Sequence, residues 1–420
     1  MNEKEKAVLT SIGLQEYSNK NTQKFLITEF SSKEKSELDS EVEAFLKKHL
    51  NDKQYEAVVS KGPALIVAGA GTGKTRVLVY RVYYLIKSGT EPRQILLLTF
   101  TRKAAKEMLD RASTLLTDNS GRQVSGGTFH AFCVNTIRKY GNLIDLPVIF
   151  TVLDNPDSED VIDKIRTDLG YNIQEKNFPY KARIFEIISF ARNNMVPISY
   201  VIEAKYSALK PYIPDIEKIA EHYRDYKKAN AMFDFDDLVE VLIEKLKENS
   251  RFQRIISRKY KYVMVDEFQD TNVLQMELVR LIAPVGNNVM AVGDEMQAIY
   301  AFRGANYQNM GDFPSLFPKC KIIKLEQNYR SQPAALDFTN QISANAQTGY
   351  EKMLWSDKEI GCKPFVIKFD EPEDEAVFVA DSIRKLLETN VPRKKSLFWS
   401  ELATPAFTFN WNWVNGAFLM

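Results

Sequence analysis

Histidine and cysteine are the scarcest chemistry-bearing residues of this 420-residue chain, three of each. His49, His130 and His222 lie far apart, which argues against a His-rich metal site. Cys133, Cys320 and Cys362 are odd in number and lack metal-type spacing, which argues against a zinc site or a disulfide framework and suits a reducing, cytoplasmic setting. No apolar run approaches the roughly 18 residues that suggest a membrane span. The first residues, Met1 to Lys6, carry no signal-peptide core. An excess of one charge is lacking too: a net +1 favours no partner, although a basic channel can sit on a neutral molecule. What is present is ordinary for a soluble globular protein, 45% hydrophobic and 26% charged, with a length that suggests about two to three domains.

The stretch that organises the rest runs from Ala64 to Thr75: a short apolar run, glycines at 69, 71 and 73, then Lys74 and Thr75, followed by a helical pattern. Strand, glycine-rich loop and helix together aim backbone N–H groups at a phosphate chain. Lys74 would reach the β- and γ-phosphates of ATP, and the Thr75 hydroxyl would hold Mg²⁺. The generic pattern begins with glycine where this chain has Ala68. Upstream, the amide of Gln54 offers the donor and acceptor that an adenine edge needs, or is a plain surface glutamine.

Ile95–Phe100 reads as a buried parallel strand running into a helix, and such strand–helix alternation points to a parallel sheet with ligands at strand ends. Thr128 and His130 follow a second such end; they fit a phosphate and a base, or a helix cap beside core aromatics. Residues from about 135 to 230 read as a helical insertion with basic residues interleaved with aromatics. Asp234 or Asp236 then caps an amphipathic helix. Tyr262–Val265 ends in Asp266 and Glu267, two adjacent acids opposite a phosphate loop: one to hold the metal, the other to orient and deprotonate the attacking water. After the strand at 288–294 come Gln297, a candidate γ-phosphate sensor, and Tyr300, Phe302 and Arg303, which fit a single-strand stacking platform or core aromatics with a surface arginine. Arg330 closes the series as a γ-phosphate contact from a second lobe.

Taken jointly, these motifs resemble superfamily 1 DNA helicases of the UvrD/Rep/PcrA kind, in order over residues 50 to 331. The resemblance resolves the departure at Ala68, since this family's phosphate loop begins with alanine. It implies a nucleotide site of Gln54, Ala68, Gly69, Ala70, Gly71, Thr72, Gly73, Lys74, Thr75, Arg76 and Tyr329, with Lys74, Glu267, Gln297 and Arg330 in catalysis and Thr75 and Asp266 on Mg²⁺. It implies DNA contacts by Phe100, Arg102, Thr128, His130, Phe235, Tyr300, Phe302 and Arg303. Arg102, Ala298 and Ala301 stand where the family usually has Asn, Ser and Gly. The expected fold is α/β: a RecA-like P-loop NTPase lobe with a parallel sheet (46–112 and 232–320), a helical insertion (113–231), a lead-in (1–45) and the start of a second RecA-like lobe (321–390). The expected activity is ATP-driven 3′–5′ translocation on single-stranded DNA or at a single-strand/duplex junction, with DNA repair as a family association. A nucleotide- and DNA-binding fragment without unwinding, or the remnant of a helicase–nuclease, are the alternatives.

The chain is shorter than this family's members, so the expectation is a copy truncated within the second lobe, poorly soluble or easily proteolysed beyond about residue 320. Its tail, 391–420, holds three of the four tryptophans with no clear period. Parts of it can be encoded so that a shifted reading frame resembles the family's continuation, hence the expectation of a frameshifted terminus from about 392.

Overall fold

A computed structural model describes residues 32–117, 120–171, 178–283, 288–300, 305–346, 349–364 and 367–388, so the expected aberrant tail lies outside the described residues. The chain divides into two compact units, Met1–Lys363 and Pro364–Met420.

The first unit begins with helices α1 (Ser32–His49) and α2 (Asp52–Val59) and strand β1 (Ala64–Ala68). Then come α3 (Lys74–Lys87), β2 (Ile95–Thr99), α4 (Arg102–Leu116), β3 (Ser125–Thr128) and α5 (Phe129–Tyr140). Next are β4 (Thr151–Val152), α6 (Asn155–Asp168), α7 (Lys181–Asn193), α8 (Ile198–Lys205), α9 (Ile213–Ala229) and β5 (Met232–Phe233). The unit continues with α10 (Phe235–Glu248), α11 (Ser250–Lys259), β6 (Tyr262–Val265), α12 (Val273–Ile282), β7 (Val289–Gly293), α13 (Gln308–Leu316), β8 (Lys321–Leu325) and α14 (Pro333–Ser343).

Six strands form a parallel sheet in the order β3-β2-β6-β7-β1-β8. Its central strands are aliphatic and buried along their whole length, as a sheet covered on both faces requires. Alternate residues serve opposite cores. Leu65, Val67, Leu96 and Leu98 join the core built with α5, α10, α12 and α13. Ala64, Ile66, Ala68, Ile95 and Leu97 join the one built with α2, α3 and α4.

One domain boundary differs from the sequence-based expectation. The insertion does not begin at 113: β3 bonds to β2 in the main sheet and α5 packs into the main core. A core of the insertion's own runs from Ile162 to Tyr223, on α6 to α9. The glycine-rich β3, Ser-Gly-Gly-Thr, carries no apolar signal to mark it as a strand. The stretch expected to open a second lobe at 321 begins with β8, which pairs with β1 as an edge of the same sheet. Beyond β8, several large apolar side chains are exposed, among them Phe338, Ile342, Met353, Trp355 and Ile360. In the second unit, α15 (Pro372–Glu388) sets Phe378 against Phe369, ring centroids 5.4 Å apart.

Candidate nucleotide site and strand-end surface

Apart from Gln54 on α2, the described candidate residues of the first unit sit at or just past the carboxyl end of a strand, where open parallel sheets place ligands. The loop after β1 turns tightly because Gly71 and Gly73 take φ of +79° and +97°. Gly73 occupies the N-cap of α3 and supplies no capping side chain, so the helix's first N–H groups stay available to an anion. The Thr72 hydroxyl donates to Gly69 O at 2.8 Å and braces the loop from within.

Lys74 Nζ lies 2.7 Å from Glu267 Oε2 and 3.4 Å from Gln297 Oε1, joining the ends of β1, β6 and β7 at one point. Glu267 takes the left-handed conformation, φ +47°, uncommon for a residue with a side chain. Gln269 donates to Glu267 Oε2 at 2.9 Å and accepts from Asp294 N at 3.0 Å. Beneath them Asp266 is buried, and burial followed by the charge of Glu267 pushes its carboxyl up to about 7. Asp270 is pushed up to about 6 by the same two causes. Asp266 Oδ1 and Asp270 Oδ1 are buried with no hydrogen-bond partner among the described residues.

A cleft of ≈ 500 Å³ is lined by Gln54, Ala70, Gly71, Gly73, Lys74, Thr75, Arg76, Glu267, Gln297, Tyr329 and Arg330. His49 and Arg111 also line it, and no motif pointed to them. Ala68, Gly69, Thr72 and Asp266 are not on its wall; Ala68 and Thr72 are fully buried in support of it. The Gln54 amide is engaged inside the protein: its Nε2 donates to Thr72 O at 2.9 Å, and its Oε1 accepts from Asn51 N at 3.3 Å. Arg76 donates to His49 O at 2.6 Å and stacks over Tyr80. Across the cleft, Asn328 Nδ2 donates to Ala70 O at 2.6 Å and Tyr329 N donates to Gly71 O at 2.9 Å. Asn328 Oδ1 accepts from Arg330 N and Ser331 N. The stretch after β8 is therefore clamped onto the phosphate loop, with Arg330 and Tyr329 facing the cleft.

Further along the strand ends, Phe100 stacks on Tyr300 at 5.1 Å between centroids, and His130 meets Phe235 at 5.2 Å. Phe100 and Phe235 are partly open to solvent. Burial holds His130 below its ordinary pKa, against the pull of Asp234. Thr128 caps α5, its Oγ1 accepting from Ala131 N at 3.2 Å, and with Arg102, Lys106 and Arg122 it lines a hollow of ≈ 350 Å³. Phe302 and Arg303 lie outside the described residues.

The sequence model of the UvrD/REP helicase N-terminal domain matches residues 50–318, well over half of the chain. The chain belongs to the UvrD/REP helicase family. A second UvrD-family model, for the C-terminal domain, matches residues 323–397. The ATP-dependent DNA helicase PcrA of Leuconostoc citreum is 35% identical over 346 residues, 81% of this chain and 45% of that protein. PcrA of Staphylococcus aureus is 35% identical over 340 residues, 80% of the chain and 46% of that protein. The ATP-dependent DNA helicase UvrD1 of Mycobacterium leprae is 36% identical over 364 residues, 83% and 46%. This UvrD/REP chain thus spans about half the length of the curated relatives it matches. Membership makes the six-stranded parallel sheet a RecA-like P-loop fold and implies nucleotide use. Among the described residues, no helix is long and apolar enough to cross a membrane.

Proposed function

We propose that the chain binds Mg²⁺·ATP in this cleft, hydrolyses it when single-stranded DNA lies across the strand ends, and steps 3′ to 5′. The observation that carries the reading is the meeting of Lys74, Glu267 and Gln297 under a loop whose helix N-terminus has no side-chain cap. Lys74 now occupies Glu267 and Gln297. A triphosphate would draw the ammonium to its β- and γ-oxygens. That frees Glu267, held in place by Gln269, to accept the proton of the attacking water. Gln297 would contact the γ-phosphate, and Arg330 would neutralise charge there from the far wall. Arg76 and Tyr329 would flank the base, and the buried Gln54 amide would hold the loop and meet the adenine edge.

The acids fit a hard divalent cation. Two buried carboxylate oxygens, on Asp266 and Asp270, lack partners, as oxygens awaiting a charge do. No group of three or more His, Cys, Asp or Glu among the described residues forms a metal cage. Magnesium does not need one, since it commonly takes one or two protein ligands and the substrate's phosphates. Asp266 and Thr75 would hold it, and bound there it supplies charge neutralisation between the phosphates.

On the strand-end surface the Phe100–Tyr300 and His130–Phe235 pairs offer ring faces to bases, while Arg102 and Thr128 offer phosphate contacts. Phe302 and Arg303 extend this set by resemblance alone. The polarity, the preference for a junction and a cytoplasmic setting rest on the family likeness.

The deciding experiment is ATP turnover with and without single-stranded DNA, in the natural chain and in Lys74→Ala. DNA-stimulated turnover lost in the variant supports the reading. Nucleotide and DNA binding without turnover overturns the motor and leaves a binding module. Displacement from 3′-tailed against 5′-tailed duplexes reads the polarity.

A further inference from the structure

Lys352 belongs to none of the motifs, yet its ammonium is among the most deeply buried charges of the first unit. Its side chain is 5% exposed and pairs with Asp294 Oδ1 and, at 3.1 Å, with Glu295 Oε1. Tyr350 N donates to the same Glu295 oxygen at 2.9 Å, and the Tyr350 hydroxyl donates to Met310 O at 3.2 Å. Gly349, at φ +109°, lets the chain lie flat there: a Cβ would fall 2.9 Å from the Glu295 side chain. Leu354 continues the strap beneath the phosphate loop, where it would meet a Cβ on Gly69 at 2.6 Å.

Asp294 is the link to the cleft. Its Oδ2 accepts from Gln297 Nε2. An ionised carboxylate only accepts, so the NH₂ end of Gln297 must face it, which leaves Gln297 Oε1 turned to Lys74 Nζ at 3.4 Å. Lys352 holds one oxygen of this buried carboxylate and the Gln297 amide the other, so the ammonium fixes where the carboxylate lies and which end of the amide meets it. Without the ammonium, nothing among the described residues of the strap would hold Asp294 Oδ1, and the Gln297 amide would lose a fixed partner.

We infer that Lys352 is a positioning residue: through Asp294 it sets the orientation of the Gln297 amide and ties the strap at 349–355 to the occupancy of the cleft. The inference rests on the proposed function, in which Gln297 reads the γ-phosphate.

The test compares the affinities of Mg²⁺·ATPγS and Mg²⁺·ADP, measured by displacement of a fluorescent ADP analogue from the full chain. The natural chain is expected to favour the triphosphate. Lys352→Met should cut that preference by roughly tenfold while ADP affinity moves by less than about twofold. Lys352→Arg should restore most of the preference, and Lys352→Met combined with Gln297→Ala should lose no more than Gln297→Ala alone. A preference unchanged in Lys352→Met, or losses that add, overturns the inference. So does a natural chain that binds both nucleotides equally, which leaves nucleotide binding itself intact. Binding of neither nucleotide instead sinks the proposed function. Should Lys352→Met fail to melt cooperatively, the neutral pair Asp294→Asn/Lys352→Met takes its place. A neutral pair that folds and keeps the preference, or that also fails to fold, overturns the positioning role in favour of a structural one.

Discussion

The floor of the nucleotide cleft and the foot of the helical insertion are both buried gatherings of carboxylates and cations, built on opposite terms. At the foot, Arg192 of α7 contacts Asp234, Asp237 and Glu240, the last two on α10, and Lys227 of α9 pairs with Asp234 and Asp237. Tyr223 adds a hydrogen bond to Asp234 at 3.0 Å. Burial would raise the Asp234 carboxyl, but Arg192 and Lys227 overcome it and hold it well below the usual carboxylate range. Asp236 is satisfied by Ser189 at 2.6 Å and Asn193 at 2.9 Å, and Asn193 accepts in turn from Asn272, the cap of α12. Both oxygens of Asp234, Asp236 and Asp237 have partners. In the cleft floor burial raises Asp266 and Asp270, as it also raises Asp236 and Asp237 at the foot, but here each acid keeps an unpartnered oxygen. A saturated cluster holds two parts of a protein together. An unsaturated one is built to receive something.

The largest effects separate the two. Lys227→Met leaves Asp234 and Asp237 short of a cation in a buried site and should cost about 3–5 kcal/mol in chemical unfolding. Nucleotide affinity per folded molecule should hold. Lys74→Ala should do the reverse, lowering turnover by about 10²–10³, or ~3–4 kcal/mol of transition-state stabilisation, with little change in the unfolding midpoint. If Lys74→Ala unfolds the protein and Lys227→Met spares it, the contrast between the clusters is wrong.

How much of this was legible beforehand follows from how local each signal is. Strands β1, β2, β6 and β7 announce themselves as aliphatic runs because both faces are buried. Lys74, Glu267 and Gln297 sit in short motifs whose chemistry is readable. Strand β3 was hidden because two of its four residues are glycine and it is held by ladder bonds rather than side chains. β8 was assigned to a second lobe because nothing in Lys-Ile-Ile-Lys-Leu says which sheet it joins. Asn328, two residues before Arg330, carries no signal of its own in the sequence, since its bond to Ala70 of the far loop exists only once β8 has paired with β1. The saturated foot was invisible for the same reason: Arg192, Lys227 and Asp234 are contributed by three helices or their caps.

A middle-sized test probes the clamp that closes the cleft. Gly71 has φ +79°, and a Cβ there would stand 2.7 Å from Arg330 Cβ and 3.0 Å from the Asn328 amide. Gly71→Ala should cost about 1–2 kcal/mol from the backbone alone. It should weaken nucleotide binding further by pushing Arg330 off the loop. Isothermal titration with Mg²⁺·ATPγS and a denaturant melt divide the two parts; a variant with native affinity would show that the clamp does not shape the cleft.

The smallest effect gauges the foot from outside. His130, beside Phe235 at the start of α10, is held below its ordinary pKa by burial, while the charge of Asp234 opposes the shift. Its folded-state pKa is depressed, so the neutral ring fits the fold. Above the unfolded value of about 6.5 the group costs nothing. As pH falls below that value the unfolded chain takes up a proton that the folded chain resists, and stability declines until the folded pKa is passed. Melting should therefore shift to lower temperature as the pH falls below about 6.5, and His130→Gln should flatten that slope. Removing the opposing charge with Asp234→Asn should deepen the depression and steepen the slope, provided the variant folds. A slope indifferent to both substitutions would mean that the acid sensitivity arises elsewhere and that the foot's charge does not reach the strand-end surface.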